Sequence, residues 1–151
     1  MKRLHVHLAV EDLEKNIAFY SAVFASEPVV RKSNYAKWEL EDPRVNFAVS
    51  TRAGSPGLDH LGVQADSAGE LGEIESRLAG VDAPVTEQTG TSCCYARSDK
   101  YWIQDPQGIA WESFHTLDSI PTFTEAGTAC GRPDADAPAP EAGCCVPEKG
   151  Q

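Results

Sequence analysis

The residues with the most reactive chemistry in this chain are cysteines, and they come in adjacent pairs. Cys93-Cys94 and Cys144-Cys145 form two such pairs, and Cys130 stands between them. Neighbouring Cα atoms across a trans peptide lie about 3.8 Å apart, short of the roughly 4.4–6.8 Å usual in a disulfide. An odd count in a chain that shows no export signal also favours free thiols. Free neighbouring sulfurs suit soft, thiophilic centres, although a buried pair or a redox pair would read the same way. An extended strand would aim Cys93 and Cys94 to opposite faces. Joint binding therefore calls for a loop or bulge, and Gly90-Thr91-Ser92 just ahead has loop-like chemistry.

A second set of residues could hold a metal. His5 and His7 share one face of an alternating segment, and His60 sits in a similar segment 55 residues after His5. Near the end of the periodic region, Ala110, Glu112 and Phe114 share a face, while Trp111 and Ser113 take the other. A carboxylate between alanine and phenylalanine on an inward face is costly unless it is paired, protonated or bound to a cation. Two histidines and one carboxylate make the facial triad that leaves positions open on Fe(II). The same residues also read as hydrogen-bonded core histidines.

These groups need a frame. The chain has 151 residues, with 13 basic and 23 acidic side chains and a net charge of −10. That is the size of one domain. Such an acidic surface argues against nucleic acid and anionic membranes as partners. No apolar run approaches the roughly 18–20 residues that cross a bilayer. The basic Met1-Lys2-Arg3 leads only into a short apolar stretch that meets Glu11-Asp12, so no signal peptide is expected and the cytoplasm is the default compartment.

Periodicity predicts an α+β fold in which one β-α-β-β-β unit occurs twice. The expected elements of the first unit are a strand at 4–10, a helix capped by Asp12, and strands at 28–32, 35–40 and 45–50. Leu13, Ile17, Tyr20 and Phe24 line one face of that helix. The second unit has a strand at 58–65 and a helix behind the capping box Ser67-Ala68-Gly69-Glu70. Strands at 85–88, around 95–97, at 101–104 and at 109–115 complete it, with Asp105-Pro106-Gln107-Gly108 as a tight turn. The domain is expected over 1–116, with modules at about 1–52 and 57–116. Residues 117–151 read as a disordered, cysteine-bearing tail, rich in Pro, Gly and Ala and poor in large apolar residues.

The segment from His5 to Leu13 followed by Phe19-Tyr20, together with Asp59-His60-Leu61-Gly62-Val63 and 105–112 (Asp-Pro-Gln-Gly-Ile-Ala-Trp-Glu), resembles the vicinal oxygen chelate superfamily of glyoxalases, extradiol dioxygenases and fosfomycin-resistance enzymes. The resemblance covers residues 4–115. It implies paired βαβββ modules forming a cupped mixed sheet around one divalent metal, held by His5, His60 and Glu112. It prefers His5 over His7, leaving His7 as a neighbour of the ligands, an acid/base group or a packing residue. Aligning the two units puts Ala48 where the second has Glu112, so a fourth ligand used by some members is missing. Up to three exchangeable positions are then expected on the metal.

Cys93-Cys94-Tyr95-Ala96, followed by Asp99-Lys100-Tyr101-Trp102-Ile103-Gln104, more closely resembles one branch, the organoarsenical carbon–arsenic lyases and cadmium-induced proteins. A trivalent arsenical with one carbon substituent has two remaining valences, which two neighbouring sulfurs can fill. The resemblance implies an Fe(II)- and O₂-dependent enzyme that converts methylarsenite to arsenite and formaldehyde and also cleaves trivalent aromatic arsenicals. Other divalent metals are expected to fit the site. Cys93 and Cys94 would bind the substrate. Cys144 and Cys145 would serve as auxiliary metalloid ligands, with Cys130 as a possible third sulfur. Tyr101 and Trp102 read as pocket walls or as strand packing, and Lys100 as a solvated charge at a strand edge. The expected partners are the small arsenical and O₂, with the protein a monomer or homodimer. The alternatives are a thiol-based cadmium or arsenic buffer without turnover, or another metalloenzyme of the superfamily.

Overall fold

The computed structural model describes residues 1–52 and 55–121. The first unit runs β1 (Arg3–Ala9), α1 (Leu13–Phe24), β2 (Val30–Lys32), β3 (Tyr35–Glu41) and β4 (Arg44–Ser50). The second runs β5 (Gly57–Ala65), α2 (Ala68–Leu78), β6 (Thr86–Cys93), β7 (Ala96–Gln104) and β8 (Ala110–Ser119). One curled mixed sheet of eight strands contains both, in the order β2-β3-β4-β1-β5-β8-β7-β6. Within each unit the first and last strands pair parallel (β1 with β4, β5 with β8), and β1 pairs antiparallel with β5 to join the units.

The helices start where their caps dictate. The Asp12 carboxylate accepts from Lys15 N at 3.0 Å, and Ser67 Oγ accepts from Glu70 N at 3.2 Å. The Glu70 carboxylate reaches past Ser67 to accept from Asp66 N. On α1, Leu13 and Ile17 are buried with Trp38, Phe47 and Val49, and Tyr20 and Phe24 pack on the same cluster. Each such burial is worth about 1.5–3 kcal/mol. On α2, Leu71 and Ile74 are buried. The helices thus cover one face of the sheet and leave the other to polar groups. Among the described residues no helix is long and apolar enough to cross a membrane.

Three expectations change. Residues around 95–97 and 101–104 belong to one strand, β7, because Ser98 and Lys100 pair on both sides and Asp99 pairs with His115 of β8. Gly90-Thr91-Ser92 is not a loop but part of β6. Gly90, at φ +61, marks an irregularity there, and its N–H donates to Asp99 Oδ1 at 2.7 Å. The ordered body also passes 116, since β8 continues to Ser119 and Ile120 N donates to Tyr95 O at 2.9 Å. The rest of the expected tail, with Cys130, Cys144 and Cys145, lies outside the described residues.

Candidate metal and thiol site

The uncovered face of the sheet gathers His5 and His7 from β1, His60 from β5, Glu112 from β8, and Lys100 and Trp102 from β7. All six are buried. His5 Nε2 lies 3.1 Å from His60 Nε2, and Glu112 Oε2 lies 3.7 Å from the first and 3.3 Å from the second. Ligands about 2.1 Å from one metal are about 3.0–3.4 Å apart at cis-octahedral or tetrahedral angles. Two of the separations fall in that range. The third, 3.7 Å between His5 Nε2 and Glu112 Oε2, corresponds to a wider angle of about 124°, so the three atoms can still share one ion.

The far side of each imidazole supports the same fit. His5 Nδ1 donates to the Asn46 carbonyl at 3.1 Å, and His60 Nδ1 donates to Asp59 Oδ2 at 2.6 Å. Metal-binding histidines are held this way, with the other nitrogen fixed by a carbonyl or carboxylate. His5, His7 and His60 also form a group with ligand atoms within 4.8 Å of one another. His7 is the looser member. Its Nε2 shares a hydrogen bond with Ser50 Oγ at 2.9 Å, and its Nδ1 lies 3.9 Å from Asp59 Oδ2.

The charges follow from burial and neighbours. Burial, with the charge of His60 beside it, draws His5 down to about 4, and burial draws His7 to about 3. Burial works against a charge on His60 too, but hydrogen bonds to Asp59 and Glu112 outweigh it and push the ring up to about 9. Burial likewise opposes the Glu112 carboxylate, and the ammonium of Lys100 with the two imidazoles still holds it well below the usual range. Without a metal, then, one cation (the His60 imidazolium) sits between Asp59 and Glu112. A divalent ion would displace that proton.

The thiols sit where β6 turns into β7. Cys94 and Tyr95 have φ of +56° and +63°, the signature of a type I′ hairpin turn. The left-handed backbone removes the strand alternation at this point, and the two sulfurs lie 3.3 Å apart. An atom about 2.3 Å from each sulfur would subtend about 90°, as a pyramidal trivalent centre requires. The hydrogen bond with Cys93, together with burial, pushes the Cys94 thiol well up, while Lys100 pulls the other way. Cys93 pairs with Ala96 on β7, and Lys100 follows four positions later on the same strand, about 13 Å along it.

The turn is tied across the cup to the β2–β3 turn. Tyr95 OH donates to Asn34 Oδ1 at 2.7 Å, and the Tyr95 ring lies 5.8 Å from that of Tyr35. Tyr35 in turn meets His7 edge-on at 6.0 Å.

Two expectations from the sequence are corrected. Lys100 is no solvated edge charge. It is 4% exposed on an interior strand, and its Nζ donates to Glu112 Oε1 at 2.6 Å. Of the two proposed wall residues, Trp102 stands at the site, 5.1 Å from the His60 ring, with its Nε1 donating to Gln88. Tyr101 points to the other face and donates to Glu87 at 3.4 Å. Alternation about Trp102 held the signal for Lys100, since residues two apart on a strand share a face.

Residues 2–113 match the Glyoxalase/Bleomycin resistance protein/Dioxygenase superfamily, and the chain belongs to it. The fold agrees with solved members. The 2,3-dioxygenase LapB from Pseudomonas sp. KL28 has a TM-score of 0.59 at 17% identity, over 84% of this chain and 45% of that one. A Mn(II)-bound glyoxalase from Novosphingobium aromaticivorans has a TM-score of 0.56 at 19% identity, over 80% and 42%.

Sequence relatives narrow the branch. The chain is 40% identical over 153 residues to the trivalent organoarsenical cleaving enzyme of Bacillus sp. (strain MD1), covering 97% of this chain and 92% of the relative. It is 36% identical over 124 residues to the cadmium-induced protein CadI of Mycobacterium tuberculosis (strain ATCC 25618 / H37Rv), covering 82% of each. It falls in the branch that these two proteins share.

Proposed function

We propose that this chain cleaves the carbon–arsenic bond of trivalent organoarsenicals, using Fe(II) at His5, His60 and Glu112 and dioxygen as co-substrate. The observation that carries the reading is the pairing of a dithiol turn with a two-histidine, one-carboxylate set in a single cup, in a chain similar to proteins named for organoarsenical cleavage.

The thiols act first. Methylarsenite, CH₃As(OH)₂, condenses with Cys93 and Cys94, forming two As–S bonds and releasing two waters. The Cys94 thiol, pushed up by its hydrogen bond with Cys93 and by burial, keeps its proton at rest, and in the exchange each thiol proton leaves on a departing hydroxyl. The arsenic is then fixed with its carbon substituent free, at the turn that leads into the strand carrying Lys100. Holding the substrate near the metal makes the next encounter intramolecular. His5 and His60 offer Nε2, their other nitrogens being engaged by Asn46 and Asp59, and Glu112 offers Oε2. Ferrous iron there would supply the redox chemistry with dioxygen that no side chain of the set can. Trp102 and Tyr35, both buried, keep water from the cup. The overall change closes with one dioxygen: CH₃As(OH)₂ + O₂ gives As(OH)₃ + HCHO, with no other reductant.

The test is anaerobic Fe(II) reconstitution, then air and methylarsenite, with arsenite and formaldehyde both quantified. Equal release of the two, lost in C93S, is expected. Stoichiometric arsenical binding with no arsenite release would identify a thiol buffer and overturn the reading.

A further inference from the structure

Lysine is almost never fully buried unless paired, and Lys100 is buried against one oxygen of one carboxylate. Its Nζ holds Glu112 Oε1 at 2.6 Å, while Oε2 of the same carboxylate faces the two imidazoles at 3.3 and 3.7 Å. The two oxygens are thus divided between two tasks. A carboxylate on a metal donates through one oxygen or through both. Lysine, a point charge rather than a fork, can occupy one without contesting the other.

The internal repeat gives a second, independent observation. The sheet register sets Ala48 beside His7 and Glu112 beside Gly62, which makes Ala48 and Glu112 equivalent. It also pairs Tyr35 with Ser50 and Lys100 with Phe114, two positions beyond Ala48 and Glu112 in turn. The position of Lys100 is therefore Tyr35 in the half whose acid position is alanine. The buried cation accompanies the acid.

We propose that Lys100 is a positioning residue that reserves Oε1 of Glu112, limits this ligand to one-oxygen donation, and so keeps one more position on the metal open to exchangeable ligands. The inference rests on the metal centre proposed above. Two imidazoles and one oxygen leave three of six octahedral positions, enough for substrate and dioxygen together. A chelating carboxylate leaves two.

The test uses Mn(II) as the probe and needs no turnover. Water-proton relaxation per bound Mn(II) reports exchangeable inner waters. In Lys100→Met, Oε1 is released, and the relaxation enhancement is expected to fall by about a third, from three positions to two. An unchanged enhancement with Mn(II) still bound overturns the proposal. Lys100→Arg gives a second reading that keeps the buried charge, and it decides alone if the methionine variant does not fold. A guanidinium grips both carboxylate oxygens, so Mn(II) affinity is expected to drop at least about tenfold. Affinity equal to the wild type would count against the reservation of a single oxygen. Failure of the wild-type chain to take up Mn(II) or Fe(II) at all would remove the centre itself, an outcome distinct from either variant result.

Discussion

The two halves of the sheet share a plan and differ in what they do with it. The first half buries Trp38, Phe47 and Val49 under α1, with Tyr20 and Phe24 packed tilted or edge-on against the rings, and its acid position is Ala48. The second half has the lighter packing of Leu71 and Ile74, which α2 itself buries against the sheet, and it holds Glu112, Lys100 and the thiols. Its outer hairpin is also longer. Both hairpins close with a two-residue turn, but Tyr35 follows its turn directly, whereas its counterpart Lys100 lies four positions beyond Ala96. Those extra residues extend the arm by about 13 Å. They carry Cys93 and Cys94 over to the tip of the first hairpin, where Tyr95 meets Asn34. One half thus holds the heavy packing, and the other holds the charge and the reach.

The sharpest way to break this division is to remove the acid that only one half has. Glu112→Ala is expected to lower aerobic arsenite release by at least about a hundred-fold, since even residues that only orient metal ligands are worth about 10–100-fold. It also leaves Lys100 buried without its carboxylate, which should cost the metal-free protein about 3–5 kcal/mol in urea unfolding. Methylarsenite should still bind the thiols stoichiometrically. Retained turnover would mean that the division of labour is drawn in the wrong place.

Trp38→Ala probes the other half. It opens a cavity in the aromatic cluster and should cost about 3–5 kcal/mol. The Mn(II) stoichiometry of the folded fraction should stay unchanged, because Trp38 packs with Tyr20, Phe24 and Phe47 and its Nε1 donates to Ser26 O. Loss of metal uptake in a fully folded sample would contradict a purely structural role for this aromatic cluster.

Gly62→Ala tests a narrower difference. A Cβ at Gly62 would lie 2.1 Å from the Glu112 carbonyl oxygen, so the backbone of the ligand strand has to move. Overpacking of this kind costs about 1–3 kcal/mol, and here it displaces a ligand, so weaker Mn(II) binding should accompany it. The equivalent place in the first half accommodates the whole His7 side chain beside Ala48. Normal metal affinity in Gly62→Ala would show that Glu112 tolerates the shift.

Most of this architecture was legible in the sequence because it follows from short-range rules. Period-two alternation marked β1, β5 and β8 with their ligand faces, and Asp12 and Ser67 marked the helix starts. The long β7 escaped because Ser98-Asp99-Lys100 is polar. Its strand state comes from pairing on both sides and from Asp99 tying back to Gly90, which no local pattern records. Lys100 escaped for a related reason. A lysine reads as surface until its partner is known, and Glu112 lies on a different strand. The turn at Cys94-Tyr95 lacks the usual Asn-Gly signal, so chemistry alone pointed to it: two sulfurs that must act together demand a backbone that brings them to one side.

The smallest expected effect concerns the contact where the longer hairpin touches the shorter one. Tyr95→Phe removes the 2.7 Å hydrogen bond to Asn34 and keeps the ring. The net loss should be about 0.5–1.5 kcal/mol, read by urea unfolding. Because the bond sits at a hairpin tip, much of that loss should appear as local opening rather than global unfolding. Alkylation of Cys93 and Cys94 should therefore quicken by up to about tenfold while metal content stays constant. Asn34→Ala should reproduce the effect, and the double variant should add little to either, since both substitutions remove one interaction. Additive effects in that cycle would mean that the two tips are steadied separately, and that the reach of the second hairpin does not depend on the first.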